Sequence, residues 1–430
     1  MPYKLKPLIT VAMLSCLSLQ ACKPNTVSKT AEAVCTQDSV TPACIAENAQ
    51  QVLAAIEDPF SYATSAAELA IAYDALGDAK AATVLFEAAL AKADGIDDSN
   101  KQAGAYGDIA LALSKVKAAP QIVPLIEQLI MRADKIGSDD KKWDVLGKLM
   151  TARAVHGDKN AARSMALSMP SSTYSQDAFK GRTQREIAEK FAKYGDFDTA
   201  IAVMNEIEAD FTYYSAIART DVTAMAIEAG KNSLVEPLFK EAVSIANTQD
   251  NGYFSGAILR DIGYSLVKLG EAEKADAMFA RAAEKARNAK SDQEKARALS
   301  RIATSFSDCG LDNKSAPILT EALSIARTIE SEAFTNYALY EIAGSAAFSG
   351  EFTMARDLLT EIPVIPFGSA VSLKAASERD LAWGLARYGQ INEALSVANA
   401  IDSPREKVHT LSRLVRLLKD PEMNALPRYL

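Results

Sequence analysis

The chain has 430 residues, 49% hydrophobic and 24% charged, with a formal charge of −8. That balance excludes an intrinsically disordered chain, and its acidity argues against nucleic acid as a partner. Two His and five Cys without metal-ligand spacing leave no histidine-based triad, metal site or cofactor to expect.

The start of the chain carries Lys4 and Lys6, then an apolar run from Leu8 to Leu19 and the small residue Ala21 before Cys22. The run is too short to span a bilayer and polar sequence follows, so residues 1–21 read as a cleaved signal. Leu19-Gln20-Ala21-Cys22 resembles the lipobox of bacterial lipoproteins. Cys16 is a poorer alternative because its apolar run would be too short, and an ordinary secretory signal with an incidental Cys is the competing reading. The resemblance implies lipidation of Cys22 and, with Lys23 rather than Asp after it, the outer membrane of a Gram-negative cell, facing the periplasm. Without residues 1–21 the formal charge becomes −10. Residues 22–42 are then the lipidated Cys and a polar tether rich in Ser, Thr and Pro. In an oxidising compartment Cys35 and Cys44 are the expected disulfide partners. Cys309, left single beside a turn, is expected to be a buried small hydrophobe.

From residue 43 to 404 the chain repeats. Residues 43–58 form a helix that looks like half a unit, its ending AAIEDP echoing ANAIDSP at Ala398–Pro404, and they read as an amino-terminal cap. Turn residues then recur at Gly77, Lys117, Gly157, Gly195, Gly230, Gly270, Gly310, Gly350 and Gly389, 35 to 40 apart. Glycine suits a helix that stops and reverses, because the residue after the last turn takes a positive φ. Lys117, with Pro120 and Pro124 nearby, predicts a distorted second copy. Eight residues before each turn stands an apolar residue (Leu69, Ile109, Ile262, Ile302 among them), usually followed by a small one. Five after it come Ala82, Ala162, Ala200, Ala275, Ala355 and Ala394; Phe86, Phe239 and Phe279 lie four later. These steps place each set on one helical face, and one pair cannot bury both faces without stacked neighbours. Residues 405–430 read as a closing cap helix and tail, with docking to a partner or to anionic lipid as the sharper alternative.

Gly263, Gly270, Ala275, Phe279 and Ala282 match the tetratricopeptide-repeat (TPR) spacing step for step. The chain resembles that family over about Ser61–Ser403, with copies of about 40 residues instead of 34. The resemblance implies an all-α, right-handed superhelical α-solenoid of about nine helix-turn-helix repeats. It also implies a concave groove lined by the first helix of each pair. Carried onto this chain, the groove residues are Arg182, Arg185, Lys193, Arg260, Tyr264, Lys268, Arg297, Tyr337, Tyr340, Arg379, Trp383 and Arg387, a basic and aromatic stripe in the carboxyl-terminal half. The opposing reading neutralises that stripe by acids one position on, as in Arg185-Glu186, Arg260-Asp261 and Arg379-Asp380. An acid indeed stands nine residues before the turn in seven of nine copies (Glu68, Asp108, Glu186, Asp221, Asp261, Glu341, Asp380), Lys148 and Arg301 being the exceptions.

No catalytic motif accompanies this pattern. The expected function is therefore a non-enzymatic scaffold holding a protein or peptide partner in the cell envelope. The alternatives are recognition of an anionic envelope polymer (peptidoglycan or an exported polysaccharide) by the same stripe, or a solenoid enzyme with paired carboxylates.

Overall fold

The computed structural model describes residues 40–117, 120–167, 177–207, 212–363, 366–367 and 371–420, all within one compact unit, Cys35–Leu430. Cys22, Cys35, the signal and most of the tether lie outside the described residues; Cys44 is disulfide-bonded.

Nine helix pairs follow the predicted copies. The first helices are α2 (Pro59–Leu76), α4 (Ser99–Leu113), α6 (Asp139–Val155), α8 (Asp177–Lys193), α10 (Thr212–Glu228), α12 (Gly252–Lys268), α14 (Asp292–Asp308), α16 (Glu332–Phe348) and α18 (Leu373–Arg387). The second helices are α3 (Ala79–Asp94), α5 (Val123–Ala133), α7 (Lys159–Leu167), α9 (Phe197–Asn205), α11 (Asn232–Thr248), α13 (Ala272–Arg287), α15 (Asp312–Ala326), α17 (Phe352–Glu361) and α19 (Ile391–Ala400). The chain opens with α1 (Pro42–Ala54) and closes with α20 (Pro404–Lys419). A two-residue antiparallel pair, β1 (Pro366–Phe367) and β2 (Val371–Ser372), departs from the all-helical pattern in the linker before α18.

Local chemistry sets these boundaries. Carboxylates and hydroxyls accept from the first turn at Asp58, Asp78, Asp98, Asp196, Ser291, Ser372 and Ser403. All eight predicted turn glycines have positive φ. At Gly270 (φ 77°) the Glu271 N–H donates back to the Leu266 carbonyl at 2.9 Å, closing the helix end as a reversing cap does. The copy with Lys117 differs at its turn, where no described residue takes the positive φ of the eight glycines, and Ile122 caps α5 without a side-chain bond.

The predicted small residues sit where helices cross. Ala162, Ala200, Ala275 and Ala394 are wholly buried, as are Phe86 and Phe279. A Cβ on Gly263 would stand 3.2 Å from the Phe279 ring, and one on Gly384 would stand 2.3 Å from the Ala347 carbonyl oxygen, so α18 meets α16 backbone to backbone.

The ends of the chain meet. Each first helix packs on the next from α2 to α18; α18 packs on α20, and α20 packs on α2. The second helices pack chiefly on first helices and little on one another. In a closed ring the outer circumference is the longer, so the sparsely touching second helices form the outer layer and the first helices the inner one. α20 pairs with α1 as a first helix pairs with its second, making a tenth repeat from the two ends of the chain. Val408, Leu411, Leu414 and Val415 are fully buried, as are Ile45, Ala46, Ala49 and Leu53 of α1. Asn48 donates to Asn399 across the seam at 2.8 Å. The predicted cap helix is thus the closing stave of a ring, and the predicted groove is the wall of its lumen.

Candidate ligand-binding lumen

The lumen is walled by ten parallel first helices whose inward faces carry the charges noted in the sequence. Most of those charges are spent on one another. Arg185 donates to Asp221 of the next repeat at 2.6 Å. Arg260 meets its neighbour Asp261 at 2.6 Å, and Arg379 bridges Asp380 at 3.2 Å and Glu406 of α20 at 2.7 Å. Arg297 and Arg301 converge on Glu341, at 3.6 and 3.2 Å. Lys268 reaches Glu228 at 2.7 Å, Arg182 pairs with Glu186 at 3.1 Å, and Arg387 spans two repeats to Asp308. Of the cations carried over from the family, Lys193 alone is exposed and forms no ion pair among the described residues. Most of the stripe's cations are therefore engaged in ion pairs, some within one stave (Arg182–Glu186, Arg260–Asp261) and others between staves (Arg185–Asp221, Arg379–Glu406), and the acids nine before the turn supply many of the partners.

Aromatic rings fill the spaces between these pairs. The Arg297 guanidinium lies 5.5 Å from the Tyr253 ring centre and 4.8 Å from that of Tyr337, which packs on Tyr340 at 5.9 Å. Tyr264 lies under Lys268 at 5.2 Å. Trp383 is sandwiched between Arg379 at 4.9 Å and Arg413 of α20 at 4.0 Å. Tyr213 and Phe254, 4.5 Å apart, extend the cluster and were not anticipated. A small cavity of about 80 Å³ between α8, α10, α12 and α14 is lined by Arg185, Asp221, Arg260, Asp261, Tyr264 and Asp308. Burial pushes the Asp221 carboxyl up to about 7, against the pull of Arg185. Each of Asp221 and Asp261 is held by its own arginine, which leaves no free carboxylate pair there for acid–base work.

A roomier opening than this one lies elsewhere along the ring. At the carboxyl-terminal ends of α2, α4, α6, α8 and α20 a mouth of about 570 Å³ is lined by Lys115, Lys117, Lys190, Lys193, Arg416 and Lys419, with Asp74 and Asp420 the only acids. Arg416 is paired with Glu68 at 3.3 Å and Lys190 with Glu189 at 2.6 Å. Lys115, Lys117, Lys193 and Lys419 are exposed and form no ion pair among the described residues. The uncompensated positive charge thus belongs to the amino-terminal staves and α20, where sequence reasoning placed only Lys193.

His156, beside the turn at Gly157, is half-buried and its Nε2 lies 3.0 Å from the Leu113 carbonyl oxygen of the neighbouring repeat. One predicted detail differs. Cys309 is half-buried rather than buried; burial and Asp308 push its thiol up to about 12, which makes it a poor nucleophile.

No protein-family model matches the chain, and no curated protein matches it in sequence. Among solved structures it is similar to a Rap protein complexed with competence and sporulation factor (12% identity over 84% of this chain and 99% of that one, TM-score 0.31). It is also similar to the apo form of RapI (12%, 83% and 97%, TM-score 0.32) and to Ton1535 from Thermococcus onnurineus NA1 (16%, 76% and 95%, TM-score 0.29). Superpositions this loose carry no argument about the site.

Proposed function

We propose that this protein is a non-enzymatic scaffold that receives an extended, acidic segment of a partner protein in its lumen, through the lysine-lined mouth. The carrying observation is the contrast inside one ring: cations matched by acids around α10 to α18, and four lysines unmatched around the mouth. Ion pairs formed in folding hold the staves; charges left over are available to a ligand. The test is a photo-crosslinking residue in place of Tyr194, which lines the mouth. An acidic stretch of one dominant protein should be trapped, and Lys193→Glu with Lys419→Glu should abolish the product. No protein above background, or trapping indifferent to charge reversal, refutes the reading.

The scaffold is held at the outer membrane, facing the periplasm, by acyl chains on Cys22. What supports this part is the sequence Leu19-Gln20-Ala21-Cys22 after an apolar run; two or more chains anchor stably because each buried methylene adds about 0.8 kcal/mol. Cys22→Ser should release the protein into the soluble envelope fraction, and a variant still in the membrane fraction removes the anchor from the proposal.

A further inference from the structure

Pro404 opens α20 as Pro59 opens α2, so Arg413 occupies in α20 the position that Glu68 occupies in α2. Seven of the nine sequence copies hold an acid there. The two basic exceptions have partners: Lys148 takes Asp144 at 2.9 Å, and Arg301 takes Glu341. Arg413 forms no ion pair among the described residues and rests only on the face of Trp383. Its Nε is shielded from solvent and finds no acceptor; neither do the Trp383 indole Nε1 and the His409 Nε2 beside it. Buried donors are ordinarily satisfied, so two obligate donors side by side, Arg413 Nε and Trp383 Nε1, mark a missing acceptor, which His409 Nε2 would share in the tautomer that carries its proton there.

His409, Arg413 and Arg416 follow one another at helical spacing along the inward face of α20, and Arg416 lines the mouth. Cations crowd here from three staves. Partial desolvation against the mouth wall pushes the Lys115 amine down; Glu68 opposes this, while Arg416, Arg413 and Lys190 add to it. Burial and the charges of Arg416 and Arg379 push Arg413 down to about 10, although Glu68 and Asp380 act the other way. Lysines at helix carboxyl ends are explained in part by the helix dipoles. Arg413, in the middle of its helix, is not.

We infer that closing the ring builds an oxyanion site inside it, with Arg413 and Trp383 at the inner end and Lys115, Lys193 and Lys419 at the outer. The ligand is a compact small molecule carrying two or more phosphate or carboxylate groups. A guanidinium and an indole N–H present fixed donors to one oxyanion group, while lysines hold further negative charge without fixed geometry. The mouth itself, of a size with small-molecule sites of roughly 300–1,000 Å³, is lined from α20 by Arg416 and Lys419, and Arg413 stands about one helical turn before Arg416 on the same face. This deepens the lumen-binding reading without needing a protein partner: crosslinking can fail while a small anion binds, and the reverse.

The test is calorimetric titration of the mature chain with inorganic pyrophosphate and with citrate at low and moderate salt, followed in parallel by tryptophan fluorescence. At least one should bind one to one, more weakly in salt, and Arg413→Gln should weaken it about tenfold or more. Tighter pyrophosphate assigns the inner group as phosphate, and tighter citrate as carboxylate. If Arg413→Gln does not fold, Lys193→Gln at the exposed rim supplies the comparison and should also weaken binding. No binding of either anion at about 1 mM in low salt, or parental affinity in the folded variants, overturns the inference.

Discussion

A chain ended after Ser403 should lose its cooperative fold, not merely fray. In an open solenoid each repeat contacts only its neighbours, so removing a terminal cap costs stability locally. Here α20 serves both ends at once: it packs on α18 and α19 and also on α1 and α2. Its removal uncovers Ile45 and Leu53 of α1, and strips from Glu68 of α2 its Arg416 partner. It also deprives the ring of Val408, Leu411, Leu414 and Val415, all fully buried. Each such large apolar side chain contributes about 1.5–3 kcal/mol by burial, so the deletion removes an amount comparable to the whole stability of an ordinary domain. The graded version is Leu414→Ala, expected to cost about 2–5 kcal/mol in urea unfolding. Small-angle scattering should show the truncated chain expanded, and a short bifunctional crosslinker should join Asn48→Cys to Asn399→Cys in the full chain only. A truncated protein with unchanged radius and urea midpoint would mean that the ring does not depend on its seam.

The repeat itself was legible because its signals are local. A glycine at each reversal, an alanine five residues on and an aromatic four later are dictated by one helix meeting its partner within about twenty residues. Closure was half legible. The likeness of AAIEDP at the end of α1 to ANAIDSP at the end of α19 marks α1 as a second helix without a first, and Pro404–Lys419 is a first helix without a second. Both were read as caps, because whether two such ends meet depends on the small rotation between successive repeats summed around the chain, which no single contact encodes. The partners of the charged stripe were only partly legible, for a related reason. Arg185–Asp221 and Arg301–Glu341 join residues 36 and 40 positions apart, close to the repeat length, so a search for opposite charges one repeat apart would have paired them. Arg387–Asp308, two repeats apart, follows only once the inner wall curves. Arg413 was visible as a basic residue in the last helix, but its role appears only when α20 is aligned with α2 as a tenth stave.

Glu68→Gln should move stability and anion binding in opposite directions. Burial raises the Glu68 carboxyl, but Lys115, Arg416, His409 and Arg413 around it outweigh burial and hold it down at about 2. A carboxyl lower in the folded than in the unfolded chain stabilises the fold above its unfolded value near 4.5, and that contribution is lost as pH falls toward 2. At pH 7 the substitution should therefore cost about 2–3 kcal/mol, and the gap between parent and variant should narrow between pH 5 and 3. A pH-independent gap would mean that the loss is one of packing and not of charge. The same carboxylate draws on Lys115, Arg416 and Arg413, the cations for which an incoming anion would compete. Neutralising it leaves those cations facing the mouth with nothing to offset them, so pyrophosphate should bind the variant more tightly even as the fold weakens. A residue that only braced the ring would lose both together. Opposite signs from one substitution would separate the charge that builds the seam from the charge that the seam holds ready for a ligand.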